Sequence, residues 1–360
     1  MSKVVNVGFL GSQFIGTIHA ESFASMPDAE VLAVASPTPG NADAFAKKHG
    51  IPHSFTDYHD LLVIDEIDVV VVGIPNHLHC QATCDIAAAG KHVICEKPLC
   101  MTLAEADQMI DACRKAGVKL MYAEELCFTP KYVRLKQLLD EGALGKPHLL
   151  KQCEKHDGPH APHFWDVDRS GGGVTMDMGC HAIEFFRWML DRPPITSVYA
   201  QMGTYVHADK TRGDDNSIVI VEFEGGCVGV AEESWCKLGG MDDRAEVHGS
   251  EGVAYADLLH GNAIETYSKP GYGYAVEKAG DTKGWTFTIY EEGWNYGFPQ
   301  EMAHFIECVR DDKQPLVTGE DGRAVLEAIF AAYESAGTGR KVTLPFPTDA
   351  KRPIDLWLKD

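Results

Sequence analysis

Two short runs of this chain carry side chains able to move a proton to or from a hydroxyl. The first is Glu96-Lys97-Pro98, directly after the apolar segment His92-Val93-Ile94-Cys95. A lysine at the C-terminal end of a strand stands where open α/β sheets place their ligands. The second is Gly171-Gly172-Gly173 leading to Asp177-Met178-Gly179-Cys180-His181. A spacing of four puts Asp177 and His181 on one face of a helix, where the acid can fix the tautomer and aim of the imidazole. Oxidising an alcohol requires a base poised near neutrality to take the hydroxyl proton while hydride leaves the carbon, and His or a desolvated Lys meets that need. A cationic acceptor ring beside Lys97 would lower its pKa further by like-charge repulsion. In isolation, Lys97 is equally well read as a surface lysine paired with Glu96, and Asp177 as a helix cap. The surrounding elements must decide.

Apolar strands alternate with helices over the first third of the chain. Strands are expected at Val4–Leu10, Val31–Ala35, Val69–Val72, His92–Cys95 and Lys119–Tyr122. Helices are expected at Ile15–Ser25, Asn41–His49, His79–Ala89 and Leu103–Ala116. This order specifies a doubly wound parallel sheet. After about Ala123 the rhythm changes. A helix near Tyr132–Glu141 precedes longer strands at Leu149–Cys153, Ser197–Met202, Ser217–Phe223 and Cys227–Ser234, the last two meeting at Gly225-Gly226. Alternating polarity and a Gly-Gly turn predict antiparallel hairpins with one solvated face. Further helices are expected at Asp177–Leu190, Gln300–Arg310 and Gly322–Ala336. The expectation is therefore an α/β chain of two domains, 1–125 with the parallel sheet and 126–360 an α+β domain with a large, mostly antiparallel open sheet.

Gly11-Ser12-Gln13-Phe14-Ile15-Gly16 joins the first strand to the first helix. A Gly-x-Gly-x-x-Gly turn there makes the tight bend, admits pyrophosphate to the backbone and lets helix pack on strand. Gln13 replaces the middle glycine, yet the helix start still offers N–H groups and a positive dipole end to phosphate. Gly11, Gln13, Phe14 and Ile15 are accordingly the expected cofactor contacts. The second strand ends in Ala35-Ser36-Pro37-Thr38, without the acid that would hold an NAD ribose and without an arginine for a 2′-phosphate. Ser36 and Thr38 suit either cofactor. The absence of any basic residue nearby favours NAD over NADP.

The chain holds 32 Lys and Arg against 53 Asp and Glu, a formal charge of −21. A surface of that sign repels nucleic acid and anionic membranes, so neither is expected as a partner. No stretch has the length of a transmembrane helix, no cleavable leader precedes Val4, and the 11 cysteines form no CxxC pair. Reduced thiols in a cytoplasmic protein are expected.

With Ile74-Pro75-Asn76-His77-Leu78-His79, with Ala89-Gly90-Lys91-His92-Val93-Ile94-Cys95-Glu96-Lys97-Pro98-Leu99, and with the late Phe298-Pro299-Gln300-Glu301-Met302-Ala303-His304-Phe305, the motifs above closely resemble the Gfo/Idh/MocA oxidoreductases over nearly the whole chain. The resemblance implies a Rossmann domain, an open-sheet domain that forms homodimers or homotetramers, and hydride transfer between nicotinamide and a secondary alcohol of a sugar or cyclitol. Lys97 matches the catalytic lysine, and Asp177 and His181 match the family's acid and histidine. Pro75, Asn76, His79 and Glu96 fall at positions near the cofactor. Gln13 and Ser36 depart from the pattern.

The run Cys153-Glu154-Lys155-His156-Asp157-Gly158-Pro159-His160-Ala161-Pro162-His163-Phe164-Trp165-Asp166 offers the planar apolar face and polar groups that sugars need. Lys155, His156, Trp165 and Asp166, with Glu125, are the expected substrate contacts. No metal is expected: His156, His160 and His163 with Glu154 or Glu125 supply ligand types but no standard spacing. An aromatic stretch of Tyr272, Tyr274, Trp285, Trp294 and Tyr296 reads as core or subunit packing, and His207 and Asp243 receive no role. Two alternatives to net dehydrogenation stay open: glycoside cleavage by transient oxidation and elimination with retained NAD, and a non-catalytic nucleotide sensor.

Overall fold

The computed structural model describes residues 3–260, 264–273, 275, 277–288 and 292–358; Tyr274 lies outside them. In chain order the strands are β1 (Val5–Leu10), β2 (Ala29–Ala35), β3 (His53–Phe55), β4 (Val69–Val72), β5 (His92–Glu96), β6 (Leu120–Ala123), β7 (Pro147–Lys155), β8 (Ile195–Gly203), β9 (Asn216–Phe223), β10 (Val228–Ser234), β11 (Asp242–Gly249), β12 (Val253–Asp257), β13 (Ile264–Ser268), β14 (Gly284–Thr288) and β15 (Val342–Thr343). The helices are α1 (Phe14–Phe23), α2 (Asn41–His49), α3 (Tyr58–Leu62), α4 (His79–Ala88), α5 (Leu103–Ala116), α6 (Pro130–Asp140), α7 (Val167–Ser170), α8 (Val174–Asp177), α9 (Gly179–Met189), α10 (Glu292–Tyr296), α11 (Phe298–Arg310), α12 (Gly319–Thr338) and α13 (Ile354–Trp357). None of the described helices is long and apolar enough to cross a membrane.

Residues 1–125 and 298–324 form one compact unit, and 126–297 with 325–360 form another. In the first, six strands pair in parallel in the order β3-β2-β1-β4-β5-β6. Four consecutive valines make β4 buried throughout, as a strand covered on both faces requires. The order reverses between β1 and β4, which is the switch point where open α/β sheets bind ligands. Helix α5 is fixed at both ends: Thr102 and Glu105 form a reciprocal capping box, and Gly117 closes it in a left-handed conformation. One departure from a simple division after residue 125 is α11. Its apolar face packs on α1 and β1, so the late helix returns to the first unit. Nothing in the local pattern of an amphipathic helix names the sheet it will cover.

The second unit holds a seven-stranded sheet in the order β12-β11-β7-β10-β9-β8-β15. All its pairs are antiparallel except β7 with β10. Gly225 and Gly226 both take positive φ in the β9–β10 turn, a three-residue hairpin loop closed between Phe223 and Cys227. Helix α9 is buried along its whole length against β7 and β10. Its Phe186 lies over Gly229, where an added Cβ would stand 2.4 Å from the ring. The single helix expected from Asp177 to Leu190 is instead two segments, α8 and α9, broken at Met178. Asp177 closes the first and His181 sits in the first turn of the second, so the pair does not ride one continuous helix face.

Asp243, fully buried on β11, accepts hydrogen bonds from Tyr132 Oη at 2.5 Å and Gln152 Nε2 at 3.3 Å. Burial raises its carboxyl to about 7. An acid whose folded pKa is raised stabilises the fold fully below its unfolded value and loses that contribution as pH climbs through the folded one, at up to about 1.4 kcal/mol per pH unit. Asp243→Asn keeps an acceptor for Tyr132 but cannot ionise. Melting curves should therefore show the variant gaining on wild type as pH rises from about 4 to about 7 and holding that gain at higher pH; parallel curves from about pH 4 to about pH 7 would refute the buried-acid assignment.

Candidate active site

Gly11 ends β1 with φ +103, and a Cβ there would lie 2.0 Å from the carbonyl oxygen of Gly73. Only glycine lets these two strand ends approach so closely. At Gly16 a Cβ would stand 3.1 Å from the Gly11 carbonyl, so the helix can press onto the turn. Gln13 is the N-cap of α1 but its side chain makes no capping bond; Gln13 and Phe14 are exposed and Ile15 half-buried. A helix start at the switch point fits a dinucleotide's pyrophosphate. Ser36 is buried at the end of β2 with its amide on the Phe55 carbonyl, while Thr38 is exposed. Asn76 is buried and Pro75 half-buried in the turn after β4.

His79 is placed differently from expectation. Its Nε2 lies 2.7 Å from the Ile74 carbonyl, and its Nδ1 lies 3.1 and 3.2 Å from the carbonyls of Pro98 and Leu99. Both nitrogens are taken by backbone, so the ring braces the β4–α4 turn against the turn that follows Lys97.

Lys97, half-buried, leaves the end of β5. The residue before it is locked. Glu96 accepts from His19 Nε2 at 2.5 Å and from the Lys97 amide at 3.2 Å, with His19 fully buried on α1. One carboxylate thus joins the phosphate-facing helix to the backbone of the lysine. Beneath it, Glu301 of α11 is buried, and burial together with Glu125, Glu96 and Glu124 pushes its carboxyl well above the usual range. Glu125, in the turn after β6, belongs to this acid group in the first unit.

In the second unit Asp177 and His181 are each 1% exposed. The glycines before them serve a purpose the motif alone does not reveal. A Cβ on Gly173 would lie 2.0 Å from the Asp214 carbonyl oxygen, and one on Gly172 would lie 2.3 Å from Tyr333 Oη. The backbone closes on Asp214 and Tyr333, where the sequence suggests close approach to a ligand. The buried Asp214 carboxylate accepts from the Gly173 amide (3.1 Å), the Thr175 amide (2.8 Å), Thr175 Oγ1 (2.6 Å) and Tyr333 Oη, and Tyr333 Oη in turn accepts from the Gly173 amide at 2.9 Å. This network fixes the helix turn that carries Asp177. Neither Asp214 nor Tyr333 was marked by the sequence, whose only signal was an Asp214-Asp215 pair before a strand.

The remaining expected substrate residues divide. His156 is buried, with Nδ1 2.7 Å from the Gly158 carbonyl and its ring 4.5 Å from that of His160. His160 pairs with Glu277 at 3.1 Å and His163 packs on Phe164. Trp165 is hemmed in by Trp235, His207 and Lys210, whose Nζ is 5.2 Å from the ring centre. Lys155 pairs with Glu232 at 2.6 Å, and Asp166 caps α7 through the Asp168 amide at 3.0 Å. These last two are occupied with structure. His207 sends Nε2 toward the Trp235 carbonyl at 3.0 Å.

Profiles of one family match both halves: its NAD-binding Rossmann domain over residues 5–124 and its C-terminal domain over residues 132–255. A levoglucosan dehydrogenase of Pseudarthrobacter phenanthrenivorans is 30% identical over 281 residues, 69% of this chain and 72% of that enzyme. The chain belongs to the Gfo/Idh/MocA oxidoreductase family. A myo-inositol 2-dehydrogenase of Thermotoga maritima is 29% identical over 94% of this chain and 98% of its own. Among solved structures of this family, GenD2 from gentamicin A biosynthesis, in complex with NAD, superposes with a TM-score of 0.91 at 31% identity, covering 96% of this chain and 98% of its own. The chain is thus an NAD-binding oxidoreductase, and its β1–α1 turn has the backbone geometry that cofactor needs.

Removing the Asp214 carboxylate strips acceptors from buried donors, at about 1–3 kcal/mol for each donor left unsatisfied. Asp214→Ala should lower the melting temperature by several degrees and cut turnover, while leaving NAD affinity within about twofold. Unchanged turnover in a destabilised variant would show that α8 needs no such anchor.

Proposed function

We propose that the protein oxidises, reversibly, a ring secondary hydroxyl of a sugar, glycoside or cyclitol with NAD, in the cytoplasm. The observation that carries this reading is Lys97 at the carboxyl edge of the parallel sheet, held by Glu96, which is itself bonded to the helix that meets the cofactor. The substrate class follows the named activities of its relatives on inositols and levoglucosan.

NAD, when bound, accepts the hydride. Lys97 Nζ takes the hydroxyl proton in oxidation and returns it in reduction. His181 contacts the same oxygen, and Asp177 orients His181; both are buried, so neither role has to compete with bulk water. His156, Asn76, Gln13 and Ser36 complete the binding of substrate and cofactor. Lys155, Asp166 and His79 are structural in this reading. Eleven free cysteines suit a reducing compartment. The exposed Tyr199, Ile218 and Tyr255 on β8, β9 and β12 support a homodimer or homotetramer, a reading that a monomeric mass by light scattering would remove.

NADH absorbance with NAD against myo-inositol, scyllo-inositol, levoglucosan and D-xylose tests the activity. Lys97→Ala should lower kcat by about 10²–10⁴-fold, the usual share of a proton-transfer group, with NAD still bound. Wild-type turnover that survives this change would overturn the role of Lys97. Glycoside cleavage without NADH release would instead indicate elimination with a retained cofactor.

A further inference from the structure

Lys278 lies in the second unit, in a segment that carries no recognisable motif. Its backbone has φ +55, a left-handed conformation a lysine adopts only at a cost of about 1 kcal/mol or more. Its carbonyl is held by the Gly240 amide at 3.1 Å. Its Nζ donates to the carbonyls of Gly158 and of Asp157, the latter at 3.2 Å. Main chain and side chain are thus both anchored, and the lysine is a fixed feature of this surface.

Among the described residues the third ammonium hydrogen has no such place. Nζ stands 3.3 Å from His156 Nδ1, but that nitrogen is 2.7 Å from the Gly158 carbonyl and must use its own hydrogen there. It has no lone pair left for Lys278. Gly158, which both residues grip, also supports Trp165: a Cβ on it would stand 2.9 Å from the ring. Burial lowers the pKa of Lys278, against the opposing charges of Glu277, Asp177, Asp157 and Glu154. The 3.3 Å approach to His156 puts the lysine beside a side chain to which the proposed function gives substrate binding.

We propose that Lys278 is a substrate-binding residue, donating its remaining N–H to a ring hydroxyl of the sugar or cyclitol on the His156 side of the site. The proposal rests on the function proposed above and extends it to specificity. A hydroxyl both accepts and donates, so a lysine N–H with a carboxylate nearby satisfies it completely. A methylene at the same position leaves the lysine hydrogen unmatched, and sites built to bond a hydroxyl reject the analogue lacking it far more strongly than apolar pockets reject a missing methyl. An ammonium substituent meets like charge.

The test uses the full chain with NAD and whichever of myo-inositol, scyllo-inositol and levoglucosan the wild type oxidises, together with its monodeoxy analogues. Lys278→Met should raise the polyol KM by about 10–100-fold while kcat stays within about threefold and the KM for NAD is unchanged. One deoxy analogue, poor for wild type, should lose most of its disadvantage in the variant. Lys278→Arg should recover part of the polyol affinity, which separates lost donation from a misfolded loop. An unchanged polyol KM with the deoxy penalty intact overturns the role of Lys278 and leaves the dehydrogenase reading standing. An equal rise in the KM for NAD also overturns it, as the sign of a loosened segment. A wild type inert toward all the probes overturns both readings together.

Discussion

The hydrogen bond between His19 and Glu96 is the contact on which the first unit of this protein turns. Its members lie 77 residues apart, on the helix after β1 and at the end of β5. A carboxylate buried to this degree is tolerated only with partners, and Glu96 has two: the imidazole, and the amide of the next residue. Lys97 therefore inherits its position from α1, the helix that follows the glycine turn after β1. Gly11 and Gly16 set where that helix begins, through approaches to backbone that any side chain would block. The β1–α1 turn and Lys97 form one mechanical piece, with α11 and the buried Glu301 packed beneath.

The other half is fixed by an equivalent device of different composition. Asp214 gathers hydrogen bonds from Gly173, Thr175 and Tyr333 and clamps a four-residue helix, too short to hold itself. Asp177 ends that helix and His181 starts the next. A short clamped turn followed by a buried helix gives each side chain its own direction, which a continuous helix could not do. Both devices place a hydrogen-bonded carboxylate in the interior, and so convert buried charge into positional precision.

Much of this was legible in the residues. The alternation of Val-rich strands with helices fixes the parallel sheet, and Gly225-Gly226 fixes a hairpin, because these signals are local. Lys97, Asp177 and His181 stand in short motifs, and the Gfo/Idh/MocA resemblance covers the chain. What stayed hidden depends on long-range approach. The reason for Gly172 and Gly173 is Asp214 and Tyr333, up to 160 residues away. The break at Met178 follows from that clamp, and an i, i+4 spacing cannot disclose it. The motif of His79 points to a cofactor contact; its three carbonyl neighbours become visible only when the turns are folded together. Lys278 has no motif at all.

The most direct test of the account is a double-mutant cycle on His19 and Glu96. His19→Ala, Glu96→Gln and the double variant would be measured for NAD affinity and for kcat with the wild type's polyol. If one bond holds helix and lysine together, each single change lowers both quantities, and the double variant is little worse than the poorer single, with a coupling above about 1 kcal/mol. Effects that simply add to within about 0.5 kcal/mol, the limit expected of independent sites, would show that the cofactor helix and Lys97 are positioned separately.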